Sequence, residues 1–164
     1  MHTWIDVEDG VRLAVDVYLP SGADGGVDEG LATLVEALPY RKDDVTASYA
    51  ASYERYVAAG FAVVRVDLRG TGSSTGIATD EYPDVERRDL ACVIEWITEQ
   101  PWSSGRVGLF GTSYSGFSSL QMAAAIGELG ISGLGAVVAA YATDDRYTDD
   151  VHDCGGALRA SDLI

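Results

Sequence analysis

Ser113 is the residue whose type and surroundings best suit covalent chemistry. It lies in the segment 111–116 (Gly-Thr-Ser-Tyr-Ser-Gly), between a predicted strand that ends near Phe110 and a predicted helix that starts near Tyr114. A serine on such a strand–turn–helix corner projects its hydroxyl out of the top of the sheet, where it can attack a carbonyl carbon. The backbone N–H of Tyr114, free at the helix N-terminus, is placed to stabilise the resulting oxyanion. The pattern therefore predicts a nucleophile elbow.

The same corner has a simpler interpretation, as a small-residue turn that only joins a strand to a helix. The segment does not match G-x-S-x-G strictly, because Ser115 stands in place of the second glycine. A serine is still small enough for a tight turn, and the flanking strand and helix are the context that the motif requires. On that context we favour a nucleophile at Ser113 over a plain connecting turn.

A second glycine-rich loop, 69–76, offers a different kind of site. Gly70 and Gly72 follow a predicted strand, as the first two glycines of a dinucleotide-binding turn do. The spacing to Gly76 does not fit G-x-G-x-x-G, and no predicted helix opens directly after the loop. A nucleotide-binding α/β module is therefore a rival hypothesis, and the less favoured one.

Strands and helices alternate along most of the chain, after a β-rich start. Alternating apolar and polar residues at 11–19 predict a half-buried strand, and Asp9-Gly10 predicts a hairpin turn to a partner strand at 4–7. Apolar runs and helical spacing then predict strands at 31–38, 61–67, 107–110 and 134–140, and helices at 49–57, at 84–100 and from residue 114. This order is typical of an α/β fold whose sheet is mainly parallel and doubly wound, with an antiparallel N-terminal hairpin.

Charge and composition exclude several classes of partner. The 164 residues include 26 acidic and 11 basic side chains, a formal charge of -15, whereas nucleic acids and anionic membranes attract basic surfaces. The two cysteines and two histidines have no spacing typical of a metal site, and serine chemistry requires no metal or organic cofactor. No apolar stretch approaches the length of a membrane span, and residues 1–9 lack a signal-peptide h-region. We therefore predict a cytoplasmic protein without cofactor.

Five segments, in order along nearly the whole chain, resemble those of one family. Gly111, Ser113, Tyr114 and Gly116 form the pattern G-x-S-Y-x-G, and typical residues of the same family occur at 9–20, 39–42, 67–76 and 96–108. Together they resemble the cocaine esterase / Xaa-Pro dipeptidyl-peptidase (peptidase S15-like) group of α/β-hydrolases. The departure from the commoner elbow is that family's own form. The resemblance implies an incomplete α/β-hydrolase fold.

The resemblance also implies roles for residues outside the elbow. In this family a tyrosine hydroxyl in the Pro-Tyr segment completes the oxyanion hole, a role that falls to Tyr40. A phenol O–H is a good donor to a developing negative charge, although Tyr40 by itself would more simply be a surface residue over the core. The family's Asp-x-Arg-Gly element is mainly structural, so Asp67 and Arg69 are expected in or near a salt bridge.

The base and acid that would activate Ser113 are the missing part of the site. In α/β-hydrolases the acid and then the histidine follow the serine, and His152 is the only histidine after Ser113. His152 lies in an acidic segment that resembles the approach to the family's cap domain. The resemblance implies that residues 1–141 are the N-terminal part of the hydrolase domain, that 142–164 begin a cap or insertion, and that the acid and histidine lie beyond residue 164.

These observations predict a serine hydrolase that acts on a small ester, an amide or a short peptide through an acyl-serine. The 164 residues alone are expected to be inactive, because they lack the base. The alternative is a non-catalytic hydrolase-like domain in which Ser113 has no function.

Overall fold

A mixed six-stranded sheet forms the centre of the computed structural model, which describes residues 1–23, 30–43, 50–145, 147–148 and 153–158. Its strands are β1 (His2–Asp6), β2 (Arg12–Tyr18), β3 (Leu31–Leu38), β4 (Ala62–Asp67), β5 (Ser103–Thr112) and β6 (Leu134–Ala140). The helices are α1 (Ala50–Ala58), α2 (Asp84–Thr98) and α3 (Tyr114–Ala125). A separate two-stranded hairpin consists of β7 (Asp153–Cys154) and β8 (Ala157–Leu158).

The strand order places the ends of β3 and β5 next to each other. The order across the sheet is β1-β2-β4-β3-β5-β6, with β1–β2 and β2–β4 antiparallel and the remaining three pairs parallel. This confirms the predicted mainly parallel sheet with an antiparallel N-terminal hairpin. The segments that follow β3 and β5 leave the sheet at its carboxyl edge, where open α/β sheets bind their ligands.

The N-terminal hairpin is closed by a turn in the left-handed region. Asp9 and Gly10 have φ angles of 61° and 70°, and the Val7 N–H donates to the Val11 carbonyl at 2.9 Å. Glycine adopts this conformation freely and aspartate tolerates it, which explains why Asp-Gly is a strong hairpin signal.

Helices cover both faces of the sheet. Phe110 and Gly111 are neighbours in β5 and therefore face opposite sides. The Phe110 ring packs against Tyr53 of α1 at 6.3 Å, whereas a Cβ on Gly111 would meet Ser115 of α3. All six residues of β4 are buried, as its mostly apolar run predicts for a strand with both faces covered. Within the described ranges, no helix is both long enough and apolar enough to cross a membrane.

A row of charged side chains crosses four strands on the α1 side of the sheet. Strand register sets His2 opposite Asp16, Asp16 opposite Arg65, and Arg65 opposite Glu36. The His2 Nδ1 and an Asp16 carboxylate oxygen lie 2.8 Å apart. Glu36 is buried, and burial raises the pKa of its carboxyl group. Directly opposite residues interact most strongly in a sheet, so the alternating charges support this register.

The Arg69–Asp89 pair joins the loop after β4 to α2. Asp89 accepts two hydrogen bonds from the Arg69 guanidinium, at 2.8 and 2.7 Å, and its side chain is only 1% exposed. We expect Asp89→Asn to lower the free energy of unfolding by about 3 kcal/mol, because it removes the buried counter-charge of the Arg69 guanidinium and leaves only the exposed Asp9, 3.8 Å away. Urea unfolding measures this.

Asp84→Asn is the matched control on the same helix. Asp84 pairs with Arg87 while 77% exposed, and breaking an exposed pair changes stability by about 0.5 kcal/mol or less. Equal losses in both variants would contradict a stabilising role for the Arg69–Asp89 pair.

Candidate active site

Ser113 occupies a strained corner between β5 and α3. Its backbone has φ 58° and ψ -120°, a combination that side-chain-bearing residues rarely adopt and that costs about 1–3 kcal/mol. The Ser113 N–H donates to the Ala140 carbonyl at 2.9 Å, and its carbonyl accepts the Phe117 N–H at 2.9 Å. The first bond holds the corner against the end of β6, and the second opens α3. Among the described residues, the half-buried Ser113 hydroxyl has no hydrogen-bond partner.

Two glycines give the corner its shape. A Cβ on Gly111 would lie 2.1 Å from the Ser115 hydroxyl oxygen, and one on Gly116 would lie 2.9 Å from the Ala140 carbonyl. Ser115 is accommodated because its buried hydroxyl donates to the Thr112 carbonyl at 3.2 Å. The strict space limits are therefore at 111 and 116, which explains why the second glycine of the common motif is dispensable here.

Tyr114 begins α3 and is held on several sides. As the first helical residue it has no intrahelical acceptor for its N–H, and the Ser113 side chain does not cap the helix. Its hydroxyl lies 3.0 Å from each carboxylate oxygen of Glu86 and accepts the Tyr82 N–H at 3.1 Å. The Tyr114 ring centroid lies 4.2 Å from that of Tyr82 and 6.5 Å, edge-on, from that of Tyr40.

Tyr40 follows β3 in a segment that Lys42 anchors. The Lys42 N–H donates to Asp67 at 2.6 Å, its carbonyl accepts from Arg65 at 3.0 Å, and its buried ammonium lies 3.2 Å from Asp16. Tyr40 itself is 49% exposed, and its hydroxyl has no partner among the described residues. The anchored backbone therefore presents a phenol at the same sheet edge as Ser113.

Asp67 and Arg69 have structural contacts. Arg69 forms the predicted ion pair, with Asp89. Asp67 accepts the backbone N–H groups of Lys42 and of Ser73, the latter at 2.9 Å, and so connects the Tyr40 segment to the loop after β4. A Cβ on Gly72 would lie 2.1 Å from an Asp67 carboxylate oxygen, so this glycine makes room for the carboxylate. The glycine-rich loop thus packs on Asp67, which does not favour a phosphate-binding turn.

Glu86 and Lys42 are buried near the site, although neither was predicted as a site residue. Glu86 lies in the first turn of α2 and is 7% exposed, and burial raises the pKa of its carboxyl group to about 7 against the opposing hydrogen bond from Tyr114. Lys42 is the chain's single lysine and is 4% exposed. The hydrogen bonds of Glu86 with Tyr114 and of Lys42 with Asp67 join segments that are distant in sequence, so no local pattern reveals them.

No base for Ser113 is found among the described residues. His2 pairs with Asp16 in β1 and β2, at the far side of the sheet from β5. His152 lies outside the described residues. Asp145, in the acidic segment after β6, accepts the N–H groups of Tyr147 and Thr148 at 3.1 and 3.2 Å, which is typical of a local turn.

The comparison with protein families identifies the chain. A family model described as X-Pro dipeptidyl-peptidase (S15 family) matches residues 9–164. The chain belongs to the S15 family. The match includes the Tyr40 segment, the Asp67 loop and the Ser113 corner, which agrees with the resemblance of these segments in sequence.

Individual proteins match over nearly the whole of this chain. The cocaine esterase of Rhodococcus sp. (strain MB1 Bresler) is 37% identical over 165 residues, covering 99% of this chain and 27% of the esterase. The structure of an α-amino acid ester hydrolase superposes with a TM-score of 0.78 at 25% identity, covering 98% of this chain and 28% of that one. A CocE/NonD family hydrolase from Staphylococcus aureus gives a TM-score of 0.76 at 23% identity, with 97% and 30% covered. These neighbours confirm the α/β-hydrolase fold, and the chain spans 27–30% of their length.

Proposed function

We propose that the protein is a serine hydrolase that cleaves an ester or amide bond through an acyl-serine intermediate. The observation that carries the proposal is the strained backbone of Ser113 at the β5–α3 corner, with φ 58°. Strain of this kind persists where the surrounding structure imposes it, and it is a recurrent feature of nucleophile elbows. Membership of the S15 family and the similarity to the Rhodococcus cocaine esterase support the same activity.

Ser113 is the proposed nucleophile and two tyrosines are the proposed oxyanion donors. The Ser113 oxygen adds to the substrate carbonyl carbon while a base removes its proton. The tetrahedral oxyanion accepts hydrogen bonds from the Tyr114 N–H and the Tyr40 O–H. Collapse expels the alcohol or amine, which takes up the proton, and water then releases the acyl group by the same steps in reverse.

The base is proposed to come from outside the described residues. The chain order of α/β-hydrolases puts the acid and the histidine after the serine. We assign residues 1–141 to the N-terminal part of the hydrolase domain and 142–164 to the start of a cap or insertion. On this assignment residues 1–164 alone lack turnover. Substrates are proposed to be small esters, amides or short peptides, in keeping with the esterase and ester-hydrolase names of the relatives.

A fluorophosphonate probe tests the proposal directly. Such probes modify serines that are activated by a base, so we expect a stoichiometric adduct on the full-length protein, found by peptide mass spectrometry on Ser113. The buried Ser115, two residues away, is the internal control and stays unmodified. Absence of labelling at Ser113 under conditions in which the protein is folded would contradict the proposal and favour a non-catalytic domain.

A further inference from the structure

Glu86 is a buried carboxylate without a role in the proposed reaction. Both its oxygens lie 3.0 Å from the Tyr114 hydroxyl, and the hydroxyl also accepts the Tyr82 N–H at 3.1 Å. Glu86 is 7% exposed and Tyr114 is 8% exposed. A carboxylate at the start of a helix is ordinarily exposed to solvent, where it interacts favourably with the helix dipole at no desolvation cost. Its burial against one tyrosine hydroxyl therefore requires an explanation beyond helix capping.

Within the part of the chain that the structure describes, the charged groups that act on Glu86 are acidic and do not neutralise it. Asp89 on the same helix and Glu81 before it both raise the pKa of the Glu86 carboxyl group, in addition to the larger effect of burial. The Arg69 guanidinium, which lies beside α2, forms its bidentate contact with Asp89. From α3, Tyr114 contributes a hydroxyl, and burial raises the pKa of that hydroxyl, so it remains a protonated donor. The Glu86–Tyr114 hydrogen bond is thus charge-assisted when Glu86 is ionised.

The Tyr114 side chain connects this bond to both proposed oxyanion donors. Its own backbone N–H is the first donor. Its ring packs edge-on against Tyr40, the second donor, with centroids 6.5 Å apart at an interplanar angle of 80°. A shift of the Tyr114 ring would therefore move both donors, and displacements below about 1 Å are enough to weaken such a site.

We propose that Glu86 is a positioning residue for the oxyanion hole, which fixes the Tyr114 side chain and through it the Tyr114 N–H and the Tyr40 ring. This inference rests on the proposed serine hydrolase function. It assigns Glu86 no contact with substrate, so its effect is expected on kcat and not on KM.

Glu86→Gln in the full-length protein distinguishes an effect of Glu86 on the oxyanion donors from an effect on the stability of the fold. Glutamine keeps an acceptor for Tyr114 but loses the charge, so we expect kcat to fall about fivefold with KM changed less than twofold. The same variant removes a buried carboxylate whose ionisation the fold disfavours. At pH 8 its Tm should therefore equal or exceed that of the parent.

The pH dependence of Tm has a defined sign. The Glu86 pKa is higher in the folded protein, about 7, than its ordinary value of 4.5, so the folded state retains a proton that the unfolded state has lost. The stabilisation is complete below pH 4.5 and is lost as the pH rises through 7. Glu86→Gln removes this pH-dependent stabilisation. As the pH rises from 4.5 to 7, the Tm of the variant should therefore fall less than that of the parent.

The matched variants are Tyr114→Phe, the double variant and Glu95→Gln. Glu95 is an exposed glutamate on the same helix, and its substitution should leave kcat and Tm unchanged. If Glu86 acts through the Tyr114 hydroxyl, the double variant should be no slower than Tyr114→Phe alone. The positioning role would be overturned if the effects of the two single substitutions on kcat multiplied in the double variant. It would also be overturned if kcat were unchanged in Glu86→Gln, or if kcat and Tm fell together in that variant.

Fluorophosphonate labelling distinguishes a failure of the serine hydrolase function from a failure of the positioning role of Glu86. The labelling rate should fall in Glu86→Gln in parallel with kcat, with Ser113 still the modified residue. A parent protein that is not labelled overturns the hydrolase proposal and this inference with it. Normal labelling of the parent with an equal rate in Glu86→Gln overturns only the positioning role.

Discussion

Ser113→Ala is expected to abolish turnover in the full-length protein while leaving its fold intact. Loss of an activated serine lowers kcat by an amount on the order of 10⁵–10⁶-fold in enzymes that use an acyl-serine. The Ser113 hydroxyl has no partner among the described residues, so its removal deletes no structural hydrogen bond. Steady-state hydrolysis of an activated ester, together with the Tm of the same sample, measures both effects.

Ser113→Gly tests whether the backbone of Ser113 is strained. The φ of 58° and ψ of -120° cost a serine about 1–3 kcal/mol, and glycine adopts them without that strain. Glycine also gains entropy in the unfolded chain, which offsets about 0.4–1 kcal/mol of the benefit. We therefore expect Ser113→Gly to be inactive and to unfold at the same temperature as the parent or above it.

The control for both variants is Ser132→Ala, at an exposed serine before β6. It should retain full activity and an unchanged Tm. Residual turnover of Ser113→Ala within tenfold of the parent would show that another group attacks the substrate. A Ser113→Gly protein that is clearly less stable than the parent would contradict the strain argument.

Local patterns were sufficient to predict the Ser113 corner and most of the sheet. The predicted strands at 31–38 and 134–140 coincide with β3 and β6, and the helix predicted from residue 114 is α3. Each of these has a continuous apolar run or a regular helical spacing. β3 is largely buried, whereas β6, at the edge of the sheet, is only partly covered. Strand β5 is longer than predicted, Ser103–Thr112 instead of 107–110, because its polar start extends the sheet by pairing Ser103 with Leu31.

Contacts between distant segments could not be predicted in the same way. Glu86 and Tyr114 are 28 residues apart, and Lys42 and Asp67 are 25 apart. A glutamate in the first turn of a helix and a lysine in a loop are both usual at a protein surface, so residue type alone places them in solvent. Their burial follows from the strand order, which brings the segments after β3, β4 and β5 to one edge. The role of Tyr40 likewise came from the family resemblance and not from spacing.

Tyr40→Phe is expected to lower kcat by about 10²–10³-fold with little change in KM. Removal of one oxyanion donor has an effect of this size where the site excludes water and the donor is held in place. The substitution keeps the ring, and therefore the edge-on contact with Tyr114 at 6.5 Å. Because the Tyr40 hydroxyl has no partner among the described residues, Tm should be unchanged.

Tyr18→Phe is the matched control. Tyr18 ends β2, which runs antiparallel to β4, so it lies at the sheet edge opposite Tyr40 and Ser113. Its substitution should leave kcat and KM unchanged. A rise in KM with constant kcat in Tyr40→Phe would instead indicate that Tyr40 binds the ground state of the substrate.

The relative rates of the variants provide the final test of a two-donor oxyanion hole. Tyr40→Phe retains Ser113 and the Tyr114 N–H, so it should remain far faster than Ser113→Ala and should still be labelled by a fluorophosphonate, although more slowly. Glu86→Gln weakens the support of both donors without removing either, so its kcat should lie between those of the parent and Tyr40→Phe. Any other order would show that the Tyr114 N–H and the Tyr40 O–H do not act together on the oxyanion.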